Sequence, residues 1–332
     1  MKKVDIFSAP VSLHGFDAEG VNTASVRNLW RLPPELHDQV NMGVTVLCKH
    51  TSGGRIRLCT DSSKVSCRVI LTEECLFPHM PLSGSSGVDL FVNGRFALNW
   101  RPDVGKEKFE FEYALNGQKN ELCFYLPLYN GVASFELYVD DNAFVGAARP
   151  YTYPKPVVFY GSSITQGACA SRPSNNYVAM VCGLLDTEYR NLGFSGNARG
   201  EDNIREYIAN LDMSVFVLDY DHNAPTVEHL EATHEKFYKS VREKHPDLPI
   251  IMMTKPDFDA NIPENTRRRA VVKKTYDNAV ANGDKPVAFL DGEKFFGDVL
   301  RDRCTPDTCH PTDLGFERMA MAVYPVLKRF LV

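Results

Sequence analysis

At 332 residues the chain exceeds a usual single domain, so two domains are expected. With 44% hydrophobic and 24% charged residues it has the balance of a soluble globular protein, and a net charge of -5 offers nothing to nucleic acid or an anionic membrane. No run reaches the roughly 18 apolar residues of a membrane helix. The start, MKKVDIFSAP, lacks the apolar run of a signal peptide, and the nine cysteines are odd in number and irregularly spaced. We therefore expect a cytoplasmic protein with reduced thiols.

Residues 1–150 read as an all-β domain. Short apolar or alternating runs at 44–48, 56–59, 66–71, 87–92, 109–113, 121–127 and 134–139 predict strands. Turn residues separate them, among them the pairs Asn93-Gly94, Asn116-Gly117 and Asn130-Gly131, which favour tight hairpins. Short strands with frequent turns predict a β-sandwich of jelly-roll type. Residues 149–156 hold three prolines and read as a stiff connector without regular structure.

From 153 to 332 strands and helices alternate. Strands are predicted at 157–160, 188–192, 215–220, 249–254 and 287–290. Helices are predicted at 175–185, 228–244 and 264–281, with a last one from about 313. The helix at 228–244 places Leu230, His234, Phe237, Tyr238 and Val241 on one face. Repeated β-α units imply a parallel sheet covered on both faces, an α/β domain whose sites form at the carboxyl ends of the strands.

Four segments fall at that edge. Gly161-Ser162-Ser163-Ile164-Thr165-Gln166-Gly167 follows the first strand, where a serine hydroxyl reaches the rim. It lacks a P-loop lysine and the spacing of a dinucleotide fingerprint, yet a plain strand-to-helix turn or an anion-cradling loop fits it too. Asn191-Leu192-Gly193-Phe194-Ser195-Gly196-Asn197 follows the second strand; Gly196 lets backbone approach a ligand, and an ordinary turn is the alternative. In Asp219-Tyr220-Asp221-His222-Asn223 the Asn223 amide is a donor, or a loop or capping side chain. Asp307-Thr308-Cys309-His310-Pro311 precedes the last helix, and a carboxylate three positions before a histidine can hold its ring as a base.

Together, in this order, these segments resemble the blocks of the SGNH hydrolases, also called the GDSL family. That family's nucleophile block runs G-D-S-x-T-x-G, and the resemblance makes Ser163 the nucleophile. It assigns Gly196 and Asn223 with the Ser163 N–H to the oxyanion hole, and Asp307 and His310 to the remainder of a catalytic triad. It implies a flavodoxin-like three-layer α/β/α fold over 153–332. Two departures stand out: Ser162 replaces the aspartate before the nucleophile, and Asp221-His222-Asn223-Ala224 stands for G-x-N-D, which leaves Asn197 as a competing donor. Gly87-Val88-Asp89-Leu90-Phe91 resembles the G-x-D-L-Y motif of a β-rich domain that precedes some SGNH esterases, with Phe91 for tyrosine; 125–131 is similar to that domain as well.

The resemblance implies a serine esterase acting on small acyl esters, acetyl esters of carbohydrates or similar alcohols foremost, through an acyl-serine. It requires no metal or other cofactor, no nucleic acid and no membrane; the oligomeric state is left open. An acyltransferase would use the same residues, and a non-catalytic carbohydrate-binding protein is a further alternative. A metal site built from Cys304, Cys309 and His310, with Cys169 as an optional further ligand, has a spacing unlike structural zinc motifs. Arg172, Arg199, His222 and Lys255 are further candidates to line the pocket, with ordinary loop or capping roles as the alternative. Cys169 and Cys309 are candidates to lie near the site.

Overall fold

A computed structural model of the chain describes residues 1–17, 28–74 and 76–331. Two compact units divide it: Met1–Pro34 with Cys48–Tyr151 and Ala170–Ser174, and Glu35–Leu47 with Thr152–Cys169 and Asn175–Val332.

The first unit is built from short strands: β1 (Lys2–Val4), β2 (Ser12–His14), β3 (Arg55–Thr60), β4 (Lys64–Leu71), β5 (Val88–Val92), β6 (Arg95–Trp100), β7 (Lys108–Ala114), β8 (Asn120–Tyr125), β9 (Val132–Val139) and β10 (Val145–Gly146). They form two antiparallel sheets, ordered β1-β9-β4-β7 and β10-β3-β8-β5-β6, with β2 also on β3. Burial alternates along β4 and β8, as a half-buried strand requires. Ile56, Leu58, Val69, Leu122, Phe124 and Leu137, drawn from both sheets, meet in one core. Each such side chain removed from water contributes about 1.5–3 kcal/mol. The β-rich domain expected from the turn spacing is thus present. Its hairpin at Asn93-Gly94 has both residues at positive φ (51° and 76°), the turn that an Asn-Gly pair favours. The returning strand β6 was not among the predicted elements. The motif aspartate, Asp89, is buried and accepts Ser174 N–H (2.9 Å), Ser174 Oγ (2.7 Å) and Asn99 Nδ2 (2.8 Å). Burial pushes its carboxyl above the ordinary value in spite of those bonds.

The second unit holds a five-stranded parallel sheet of β11 (Tyr153–Gly161), β12 (Thr187–Gly193), β13 (Val215–Asp219), β14 (Ile250–Met253) and β15 (Val287–Leu290), ordered β12-β11-β13-β14-β15. Its helices are α1 (Met42–Leu47), α2 (Ser163–Gln166), α3 (Tyr177–Leu185), α4 (Asp202–Ala209), α5 (Val227–Lys244), α6 (Ile262–Ala281) and α7 (Asp313–Phe330). α3 packs with α7, while α5 packs with both α4 and α6. The chain steps one way from β11 to β12 and the other way thereafter. Right-handed crossovers then put these two helix groups on opposite faces, the three-layer α/β fold expected. The strand order reverses between β11 and β13, the crevice where ligands bind in open sheets of this kind.

Three local expectations are corrected. Residues 44–48 are not a strand: α1 covers most of them, and it belongs to the α/β unit. A five-residue apolar run suits either state, and the Asn41 side chain, accepting the Val44 N–H at 3.0 Å, starts a helix. Residues 153–156 are not an irregular connector, because β11 begins at Tyr153. The register with β12 shifts between Tyr153 and Val157 and pairing with β13 starts only at Val157, so Pro154 and Pro156 sit where missing N–H groups cost little. The helix α4 was also unpredicted; it is only eight residues long and buries Ile204, Ile208 and Ala209, too short a segment to stand out by its period.

Among the described residues no helix is long and apolar enough to cross a membrane. No disulfide joins the described cysteines.

Candidate active site

The site is set by strand register. Gly161, the last residue of β11, lies opposite Gly193 on β12 and Asp219 on β13. Ser163, Gly196 and Asn223 follow these three residues within one turn each, so adjacent parallel strands deliver all three to one edge.

At the end of β11 the backbone turns directly into α2. Ser162 caps this turn, its Oγ accepting the Ile164 N–H at 3.1 Å. A side-chain oxygen is what the position needs, which explains how serine replaces the family's aspartate. Thr165 Oγ1 donates to Asp219 Oδ2 (2.9 Å), and Asn191 Nδ2 donates to the Thr165 carbonyl (2.6 Å). The Asn191 Oδ1 accepts the Gly193 N–H (2.9 Å). A Cβ on Gly193 would lie 2.3 Å from Gln166 N, so only glycine lets β12 approach the turn this closely. None of these cross-strand partners was singled out from sequence.

His310 bridges two of the sequence-predicted residues. Its Nε2 lies 2.9 Å from Ser163 Oγ, and its Nδ1 lies 2.6 Å from Asp307 Oδ2. Asp307 Oδ1 accepts the N–H groups of Cys309 (3.0 Å) and His310 (2.7 Å), folding 307–310 into a tight turn. Burial pushes the Asp307 carboxyl up, but the hydrogen bonds from His310 and Cys309 outweigh it and hold the carboxyl below its ordinary value. Thr312 then caps α7 by accepting the Gly315 N–H (3.4 Å). Ser163 is largely buried, whereas His310 and Asp307 are partly exposed.

Gly196 stands in the left-handed region (φ 66°), and open space surrounds its missing Cβ. Its loop is pinned by the Ser195 N–H, which donates to Gln166 Oε1 at 3.0 Å. Asn41, just before α1, holds the same loop through the Asn197 carbonyl (3.2 Å) and the Glu201 carboxylate (2.9 and 3.0 Å). The Asn197 amide is used inside the loop, donating to the Ser195 carbonyl at 2.7 Å.

Asn223 ends a short turn after β13, with its Oδ1 buried and lacking a hydrogen-bond partner among the described residues. Arg268, buried on α6, donates to the carbonyls of Asp221 (2.6 Å) and Ala224 (2.9 Å) and so grips the turn from both sides. Asp221 accepts the His222 ring (3.0 Å) and the Lys255 N–H (3.2 Å). Burial raises the Asp221 carboxyl and these partners lower it; the net shift is downward. Asp219 is also buried and accepts Tyr177 OH (2.8 Å) besides Thr165, yet its Oδ1 has no partner among the described residues. Desolvation pushes its carboxyl up to about 7.

Of the other candidates, Arg172 belongs to the β-rich unit, where it stacks 3.9 Å over Phe96 and meets Asp89 at 3.4 Å. The Arg199 carbonyl accepts His229 Nε2 (2.8 Å). Cys304 Sγ instead meets the Leu300 carbonyl (3.8 Å) and Arg318 (3.4 Å), so the metal site considered from sequence around Cys304, Cys309 and His310 does not assemble.

Two family models cover most of the chain. Residues 154–328 match the GDSL-like Lipase/Acylhydrolase family, and residues 9–145 match the N-terminus of Esterase_SGNH_hydro-type proteins, termed GxDLY. No curated protein sequence matches. Among solved structures, a protein from Bacteroides ovatus assigned as a GDSL-like lipase is 26% identical (TM-score 0.83), with 97% of this chain and 98% of that one covered. A salicylyl-acyltransferase from a tetracycline biosynthetic pathway is 22% identical (TM-score 0.81; 100% and 98% covered). A family two carbohydrate esterase from Cellvibrio japonicus shares the fold at 11% identity (TM-score 0.68; 99% and 98% covered). With its α/β unit matched over nearly its full length and its β-rich unit matched by GxDLY, the chain belongs to the GDSL-like Lipase/Acylhydrolase family: it is an SGNH-type serine hydrolase.

Proposed function

We propose that the protein is a carboxylic-ester hydrolase that removes a small acyl group, an acetyl group foremost, from a carbohydrate or similar alcohol. The observation that carries this reading is the continuous chain of hydrogen bonds from Ser163 through His310 to Asp307, at 2.9 and 2.6 Å.

Ser163 attacks the ester carbonyl while His310 Nε2 takes its proton. Asp307 keeps the ring oriented and stabilises the imidazolium; a carboxyl held below its ordinary value stays ionised wherever histidine acts as a base. The oxyanion is met by the N–H groups of Ser163 and Gly196 and by the Asn223 amide. The engagement of Asn197 within its own loop favours Asn223 as that donor. One donor of this kind is worth about 3 kcal/mol of barrier. His310 then protonates the leaving alcohol and activates water against the acyl-serine.

Support for a small acyl group on a sugar-like alcohol is the fold shared with carbohydrate esterases; fold alone does not carry substrate, so the test is a substrate panel. Acetylated sugars and p-nitrophenyl esters of rising chain length are assayed with the wild type and Ser163→Ala. Fastest turnover on acetyl esters, lost in the variant, is the expected result. Preference for long acyl chains contradicts the substrate, and undiminished turnover by the variant contradicts the mechanism. Product analysis with added alcohols separates hydrolysis from acyl transfer, which would use the same acyl-serine.

A further inference from the structure

We propose that Cys169, Asp307 and His310 form a binding site for a thiophilic divalent cation, Zn²⁺ foremost, whose occupation shuts down the triad. One ligand atom from each of the three residues lies within 4.8 Å of the others. Tetrahedral zinc, with bonds of about 2.0–2.3 Å, holds its ligands roughly 3.5 Å apart, so a small contraction seats the ion. Thiolate, imidazole and carboxylate are a zinc-selecting set; magnesium and calcium favour oxygen alone.

The chain holds the sulfur in an unusual way. Cys169 is a non-glycine residue in the left-handed region (φ 71°), two positions beyond Gly167, which is left-handed as well (φ 106°). Neither Cys304 nor Cys309, the thiols nearest His310 in sequence, belongs to the group among the described residues. On binding, the thiol proton passes to solvent and the ion takes its place.

Inhibition follows from the hydrogen bonds of the imidazole. An ion on Nε2 displaces Ser163, and an ion on Nδ1 displaces Asp307. Either way the ring no longer carries a proton from the serine. This inhibitory half rests on His310 being the base, as proposed above; metal binding does not.

The test titrates metal-free wild type with Co²⁺, whose thiolate charge-transfer absorption reports a bound sulfur directly. One Co²⁺ per chain with that absorption, displaced by Zn²⁺ and absent in Cys169→Ser, is expected. Ester turnover by the wild type should fall as Zn²⁺ fills the same site. Cys169→Ser should need at least roughly tenfold more Zn²⁺, the lower end of what losing even an outer-shell partner costs. No thiolate absorption in the wild type at saturating Co²⁺, or equal Zn²⁺ inhibition of both proteins, overturns the proposal. If no ester is turned over at all, the esterase reading fails, while the Co²⁺ spectrum still decides the site.

Discussion

The side-chain oxygen of Gln166 accepts the N–H of Ser195 at 3.0 Å, joining the last residue of the turn that carries Ser163 to the loop that presents Gly196. Oxyanion donors act only if they are already in place when charge develops, because reorganising them during reaction erodes their value. Gln166→Leu keeps the volume and removes the acceptor. It should lower kcat about tenfold, equivalent to ~1.4 kcal/mol of barrier, with KM nearly unchanged. Steady-state kinetics on an acetyl ester check this; a rise in KM at constant kcat would place Gln166 in substrate binding instead.

Asp307 touches His310 twice, through the ring at 2.6 Å and through the N–H at 2.7 Å. Asp307→Asn preserves shape but presents a donor to Nδ1, favouring the wrong tautomer. A loss on the order of 10⁴ in kcat is expected, as for other triads. A loss below tenfold would show that the carboxylate is dispensable.

The grip of Arg268 on the carbonyls of Asp221 and Ala224 fixes the turn that carries Asn223. Asn223→Ala should cost about 3 kcal/mol of barrier, a factor of 10² to 10³ in kcat. Arg268→Met should show a smaller loss of the same kind, and combining the two should add little beyond Asn223→Ala. Fully additive effects in kinetic measurements would mean that Arg268 acts elsewhere.

Burial pushes the Asp219 carboxyl up to about 7 in the folded chain, against an ordinary value of 3.8. Between those values the folded state keeps a proton that the unfolded state has released, so stability falls as pH rises through that window and levels off above it. Asp219→Asn retains an acceptor for Thr165 and Tyr177 and removes the titration. Denaturant unfolding at about pH 4.5 and about pH 8 should find the wild type losing stability relative to the variant at the higher pH. A pH-independent difference would contradict the assignment.

The parts of the site that can be read from sequence are those made by neighbours in the chain. Asp307 and His310 lie three residues apart, and Ser163 sits in one short block after a strand. The residues that lock the site together were silent. Gln166 meets Ser195 across 29 positions, Thr165 meets Asp219 across 54, and Asn41 meets Glu201 across 160. Such pairs are set by strand order, and an isolated glutamine or asparagine carries no mark of its partner. In the fold, long periodic helices such as α5 were legible. Where a single cap or a register shift decided the outcome, as at Asn41 and before Val157, apolar runs and prolines misled.

In the proposed mechanism Ser163 forms the covalent acyl intermediate with His310 as its base. The most direct measurement is reaction with a fluorophosphonate, followed by peptide mass spectrometry. A single adduct on Ser163, formed at a rate that collapses in His310→Ala, is the predicted result. An adduct on another residue, or no adduct on a folded protein that still cleaves esters, would contradict it.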